Sequence, residues 1–307
     1  MHIIILAALF DVDRTPVFMC AAGILIFLIG IWAARSDIAQ ARGLDKVVAL
    51  SNLCFAVPLA VFGALHVSAV GFVLPLVPKY MPFPLFWAYF VGFALLAASL
   101  SIATKIQVRW SGLLFGIMML LFVAMMDIPG ALATPKDRFA WTLTMRETLF
   151  GCGGWVLAGA AMREEGSRQV GSVLITIGRV VIGFAAIFYG VEHFLHPEGA
   201  LGVPLEKLTP TWIPGRFLIG YLTGAILVAA GAAILLARKT RMAATYLGTW
   251  ILLIVVFVYG PLMVAQMSDP GVGPKVEGIN YFFDTLLFAG SALALASALP
   301  GGERQFS

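Results

Sequence analysis

The sequence predicts an all-α polytopic membrane protein, and three observations carry that prediction. Of its 307 residues 61% are hydrophobic and only 12% charged, about half the charged share of an ordinary soluble domain. The apolar residues gather in runs of roughly the 20 positions that a helix needs to cross a bilayer. Short charged or Pro/Gly-rich breaks separate the runs, and none shows the ten-residue alternation of a membrane-barrel strand.

The runs fall at about 17–34, 47–66, 85–104, 109–128, 141–162, 172–193, 216–237, 242–264 and 280–299, which predicts nine membrane-spanning helices. Ahead of the first, residues 1–16 are apolar up to Phe10 and then interrupted by Asp11, Asp13 and Arg14. Lacking a basic leader, they read as a short interfacial segment before a retained span rather than as a cleaved signal. The second run ends in Gly63-Ala64-Leu65-His66, and the third follows Pro82. The fifth carries Arg146-Glu147 near its start. The sixth holds Arg179 and ends in Tyr189-Gly190-Val191-Glu192-His193, with His196-Pro197 just beyond. The seventh opens at Arg216 after Pro214, and the ninth carries Asp284.

The net charge of +4 speaks for retention of basic residues on one membrane side, not for nucleic acid. Alternating the spans puts Arg35, Arg42, Lys46, Lys105, Arg109, Arg163, Arg168, Arg238, Lys239, Arg241 and Arg304 on one side. Arg14, Lys79, Lys136, Arg138, Lys207, Arg216 and Lys275 fall on the other. The first side is then expected to be cytoplasmic, with the N-terminus outside, the C-terminus inside and the longer connections outward, in a bacterial-type inner membrane. Cys20, Cys54 and Cys152 lie singly in apolar runs. That spacing suits packing and excludes a paired-thiol relay. The chain also lacks a phosphate-binding Gly-Lys-Ser/Thr loop, a dinucleotide fingerprint, zinc-type Cys/His spacing and a haem-attachment motif. Trp87, Trp141, Trp212 and Tyr281 fall near the expected interfaces, where an aromatic belt belongs.

The chain repeats itself. A displacement of 132 residues brings Pro82 onto Pro214, Tyr89 onto Tyr221, Gly92 onto Gly224, Arg109 onto Arg241, Gly116 onto Gly248 and Pro129 onto Pro261. Gly63 and His66 match Gly190 and His193 at 127, while Glu147 and Gly153 match Asp284 and Gly290 at 137. The changes of displacement fall in outer connections, where insertions are tolerated. The expected organisation is an N-terminal segment with one extra helix (1–46) and two four-helix units (47–165 and 166–307). An even number of spans per unit makes the repeats parallel, related by an axis along the membrane normal.

A four-helix unit that opens with Gly-x-x-His at the end of its first span, continues through a Pro-punctuated loop and enters a Tyr-x-x-Gly span resembles the DoxX-like membrane family. In the second unit the residues carrying the likeness are Arg179, Gly190, His193, Pro197, Pro204, Pro214, Tyr221, Gly224, Asp284 and Gly290. The first unit follows more loosely, with Asn52 where Arg179 would fall and Ala64-Leu65 in place of Val191-Glu192. The resemblance implies a membrane subunit or small-ligand module in a redox-linked, quinone-linked complex with protein partners. It does not imply a particular reaction.

Ionisable residues in spans cost about 2.5–3.5 kcal/mol each at mid-membrane and require a partner or a purpose. Glu192 and His196, four apart, share a helix face. With His193, and with Asp284 from the ninth span at the same depth, they form the candidate outward site, Tyr189 and Arg216 adjacent. Such a group can close the bundle as a hydrogen-bonded cluster, hold a quinone headgroup, or bind a divalent metal through Glu192, His193 and His196. Arg179 is too far from Glu192 to pair with it and has helix carbonyls, the cytoplasmic face or an anionic ligand to meet. His66 and Glu147, the latter beside Arg146, are the first-unit counterparts. A non-catalytic scaffold for partner proteins and, less well supported, a transporter are the alternatives.

Overall fold

The computed structural model describes residues 14–203 and 208–300. Most of the expected interfacial segment 1–16, together with Pro204, Lys207 and Arg304, lies outside the described residues. Among the described residues the chain is helical, without strands, and eight of its helices are long and apolar enough to cross a membrane.

The long helices are α1 (Thr15–Gln40), α2 (Asp45–Ser68), α3 (Pro84–Thr104), α4 (Val108–Ala133), α5 (Arg138–Glu164), α6 (Arg168–Leu195), α7 (Arg216–Leu235), α8 (Thr240–Met267) and α9 (Val272–Ser297). Helix α5 falls outside the eight because it carries Arg138, Arg146, Glu147, Arg163 and Glu164. It is nonetheless 27 residues long and packs among the others, against α4, α6 and α9. Helix α1 begins with a proline in its first turn, where the missing N–H costs nothing. It buries Met19, Gly23, Ile26, Gly30 and Ala34 at three- and four-residue spacing and turns Ile24, Leu25, Leu28 and Trp32 outward. Only 28% of its apolar window is covered by protein, against 89% for α9, so α1 is peripheral and α9 is the core of the bundle.

Neighbour relations place the helices. Within each group of four the first packs on the second (α2 on α3, α6 on α7) and the third on the fourth (α4 on α5, α8 on α9). Across the groups, the last helix of one packs on the first of the other: α5 on α6 and α9 on α2, with α5 and α9 also in contact. This neighbour list is unchanged when the two groups are exchanged. The backbone repeats at the same displacement as the sequence. Residues with φ near +50 to +70° occur at Phe83 and Gly215, Lys105 and Ala237, and Gln107 and Lys239, each pair 132 apart. A single π-helical turn interrupts α4 at Val123–Asp127 and α8 at Val255–Tyr259. Each precedes a proline, Pro129 or Pro261, whose ring and missing N–H break the regular ladder.

At one end, called here the loop-rich end, lie the connections after α2, α4, α6 and α8. At the other, the basic end, Lys105 pairs with Asp37, Arg109 with Glu165 and Arg241 with Asp45. The cysteines are free and at least half-buried in helices. Trp212 is exposed as a belt residue should be, but Tyr281 turns inward and stacks on Tyr259 at 6.3 Å. It is core rather than belt.

Candidate functional site

The Gly-x-x-His motif is built the same way in both groups. Gly190 on α6 faces Gly224 on α7, and a Cβ on Gly190 would lie 2.9 Å from the Gly224 carbonyl. Bare backbone there lets the helices touch. The histidine a turn later bonds its own helix: His193 Nδ1 donates to the Tyr189 carbonyl at 2.6 Å, and His66 Nδ1 to that of Phe62 at 2.9 Å. With its proton on Nδ1, His193 uses Nε2 as an acceptor for the Gly202 N–H at 3.0 Å. The side chain is 1% exposed. Both ring nitrogens are satisfied, Nδ1 by its own helix and Nε2 by the loop after α6, which it holds against the bundle.

The expected group of Glu192, His193, His196 and Asp284 does not form. Glu192 turns to α5 and pairs with Arg138 at 3.1 Å. His196 lies in the loop beyond α6, 3.7 Å from Glu198, with 43% of its side chain exposed. Asp284 pairs with Arg146 at 2.6 Å. The reason is topological: α6 and α9 barely touch, because α5 packs on both. The metal reading of Glu192, His193 and His196 falls with it. Among the described residues no three His, Cys or carboxylate side chains converge as ligands.

Arg216 is not the counter-charge of an acidic cluster. Its guanidinium donates to the Thr209 carbonyl at 3.0 Å and lies over the Phe217 ring, tying the long loop to the start of α7. Arg179 donates to the carbonyls of Ile234 and Leu235 at 2.7 and 3.0 Å, capping the end of α7. Asn52, its counterpart, donates to Ile102 at the end of α3 at 3.4 Å. The two residues therefore do one job with different reach. Arg179→Asn is expected to cost no more than about 1 kcal/mol of stability, whereas Arg179→Leu, which strands both carbonyls, costs about 1–3 kcal/mol. Equal midpoints for the two variants, measured in detergent, would remove the capping role.

What the structure assembles instead centres on Arg146. Its guanidinium bonds Glu147 on its own helix at 2.8 Å and Asp284 on α9 at 2.6 Å. Glu147 and Asp284 are the residues matched by the internal repeat, so one cation sits between two equivalent carboxylates where α5 meets α9. Around this pair the ring of His66 lies within electrostatic reach of Glu147, and Asp127 within reach of Glu147 and Arg146. The Tyr189 phenol reaches in from α6 and donates to the Thr142 carbonyl at 3.3 Å. Several shielded polar atoms of this neighbourhood have no protein partner: Arg146 Nε, Thr142 Oγ1 and Asp127 Oδ2.

Of the residues singled out from sequence, Asp284, Tyr189, Glu147 and His66 come together here, and Glu192, His193, His196, Arg179 and Arg216 do not. Sequence reasoning missed Asp127 and the reach of Arg146 across to α9. Asp127 was findable: it stands two residues before Pro129, as Tyr259 stands before Pro261, and is a charge in an otherwise apolar run. A groove of about 570 Å³ lies at the basic end, lined among others by Asp45, Lys239, Arg241, Tyr246 and Leu299. It shares no residue with the Arg146 cluster. No family model, curated protein or solved structure matches the chain. The DoxX-like resemblance accordingly rests on the motif residues that carry it.

Proposed function

We propose that this protein is the membrane-embedded subunit or ligand module of a redox-linked complex of the inner membrane, and that it holds a quinone headgroup at the Arg146 cluster. The observation that carries the reading is a pair of donors on one face of α5. Arg146 Nε and Thr142 Oγ1 are four residues apart, shielded, and without a protein acceptor. Buried donors are almost always satisfied, and a ligand offering two carbonyl oxygens supplies what this face lacks. The Tyr189 ring beside them, fully buried and edge-on to Phe288 at 5.8 Å, provides an apolar wall suited to a flat headgroup.

The redox context comes from the DoxX-like resemblance. The outward placement of the loop-rich end, with the N-terminus outside, comes from the excess of Lys and Arg at the opposite end. The apolar exterior of the helices fits lipid-phase delivery of a quinone.

The test is to purify the full chain in mild detergent, extract it and quantify quinone per polypeptide by mass spectrometry. Retention is expected for the wild type. In Thr142→Val, which keeps the shape and removes the hydroxyl, retention should fall by about two- to tenfold, the worth of one hydrogen bond. A wild-type protein that carries no more quinone than an unrelated membrane protein would leave a scaffold role as the reading.

A further inference from the structure

The two halves answer their cations differently at the basic end, and a groove lies where the second half leaves them unanswered. In the first half the turn between α3 and α4 carries Lys105 and Arg109, and each has a carboxylate. Lys105 pairs with Asp37 on the extra helix α1, and Arg109 with Glu165. The matching turn between α7 and α8 carries Arg238, Lys239 and Arg241. Arg241 pairs with Asp45 at 2.7 Å. Helix α1 packs on α2, α3 and α9, and among the described residues no carboxylate does for Arg238 or Lys239 what Asp37 does for Lys105.

Beside this turn the surface is concave. The start of α2, the start of α8 and the residues just after α9 enclose the groove of about 570 Å³, a volume typical of small-molecule sites. Lys239, Thr240 and Arg241 are its polar wall, and Leu44, Met242 and Leu299 its apolar one. Asp45, also in the lining, offsets Arg241. The charge left over is that of Lys239, so the groove favours an anion.

Its place in the membrane says what else the ligand carries. Lys239 stands between the spans Arg216–Leu235 and Thr240–Met267, at headgroup level. From it Met242, Tyr246 and Leu253 follow on one face of α8, all of them exposed. The open side of the groove therefore runs on as an apolar strip facing lipid. A molecule with an anion at one end and hydrocarbon at the other matches both parts, whereas a soluble anion would use only the first.

We infer that this groove binds an anionic glycerophospholipid, its phosphate held by Lys239 and Arg241 and its acyl chains laid along Met242, Tyr246 and Leu253. Basic recesses between membrane helices suit such headgroups because the cation is attracted and only partly hydrated there. The first half does not repeat the site: Gln107 and Trp110 stand where Lys239 and Met242 do, and its cations are paired.

Native mass spectrometry of the full chain, titrated with phosphatidylglycerol and with phosphatidylcholine of the same acyl chains, tests this. Both lipids carry the phosphate, but only the first has a net negative charge, and it is expected to bind about tenfold more tightly. In Lys239→Gln its affinity should fall about fivefold, the worth of one basic residue near a charged headgroup. The variant should fold, because Gln107 already holds the matching backbone conformation, φ 57° against 49° for Lys239. Arg241→Gln leaves Asp45 to face the phosphate and should abolish the preference. Arg168→Gln removes the same charge from the same end outside the groove, and the preference should stay as in the wild type.

Equal affinity for the two lipids in the wild type would overturn the inference. So would a loss in Arg168→Gln as large as in Lys239→Gln, which would mean that the whole basic end attracts anions without a site. Glycerol 3-phosphate offers the anion without the chains. Weaker binding of it than of the lipid supports the assignment, and binding as tight as that of the lipid would give the groove to a soluble phosphate ester and overturn it. Quinone content is expected to be unchanged in all three variants, since the groove and the Arg146 cluster share no residue.

Discussion

Arg146→Met is expected to destabilise the protein by about 3–5 kcal/mol, the cost of removing one member of a buried ion cluster and leaving its partners charged and unpaired. The side chains concerned are mostly covered: 16% of Arg146 and of Glu147 and 10% of Asp284 is exposed. Solvent therefore does little to screen the loss. The same logic predicts rescue. Combining Arg146→Met with Glu147→Gln and Asp284→Asn removes the stranded charges together and should recover most of the stability, because a buried ion network is worth little against neutral groups of similar shape. Thermal unfolding in detergent, followed by far-ultraviolet circular dichroism, gives the comparison. An unchanged midpoint for the single variant would mean that Arg146 does not hold α5 to α9.

Gly290→Leu is expected to be worse. A Cβ on Gly290 would stand 2.7 Å from Phe55 N, 2.8 Å from Cys54 C and 2.9 Å from Cys54 O, all backbone atoms of α2. Nothing there can rotate away, so α9 must move off α2, and overpacking at such a site costs at least the usual 1–3 kcal/mol. The contact joins the last helix of the second group to the first helix of the first, so its loss removes one of the contacts that hold the two groups together. Gly273→Leu is the control: it lies in the first turn of the same helix with nothing within 4 Å of the added carbon. The monodisperse fraction on size exclusion should collapse for the first variant and not for the second. Equal yields would mean that α9 and α2 do not pack as described.

Much of the architecture was legible because lipid imposes it. Runs near 20 apolar residues became helices within about eight residues of their expected ends, and α5 differs from the others in carrying an inward-turned Arg-Glu pair. Positive-φ residues and the two π turns recur at the displacement of 132 residues read from the sequence. The site was less legible. Glu192, His193 and Asp284 share a depth along the membrane normal, which helix length reveals. Whether they share a place depends on which helices are neighbours, and in a bundle apolar on nearly every face the hydropathy pattern does not say. With α5 packed on both α6 and α9, Asp284 met Arg146, and Glu192 met Arg138. The histidine that sequence reading placed at the chemistry, His193, holds a loop. Its counterpart His66 likewise bonds its own helix through Nδ1.

Only one guanidinium reaches across where α5 meets α9. If the halves are related by rotation about an axis through that contact, an arginine at both matched positions would bring two cations to it. The position matching Arg146 is Phe283, packed edge-on against Phe282 at 4.8 Å, and only one arm reaches across. A molecule made of two identical halves could not have placed a single cation between matched carboxylates. Divergence of the halves is thus a condition of the cluster, and a dimer of either half alone would not have one cation between two carboxylates.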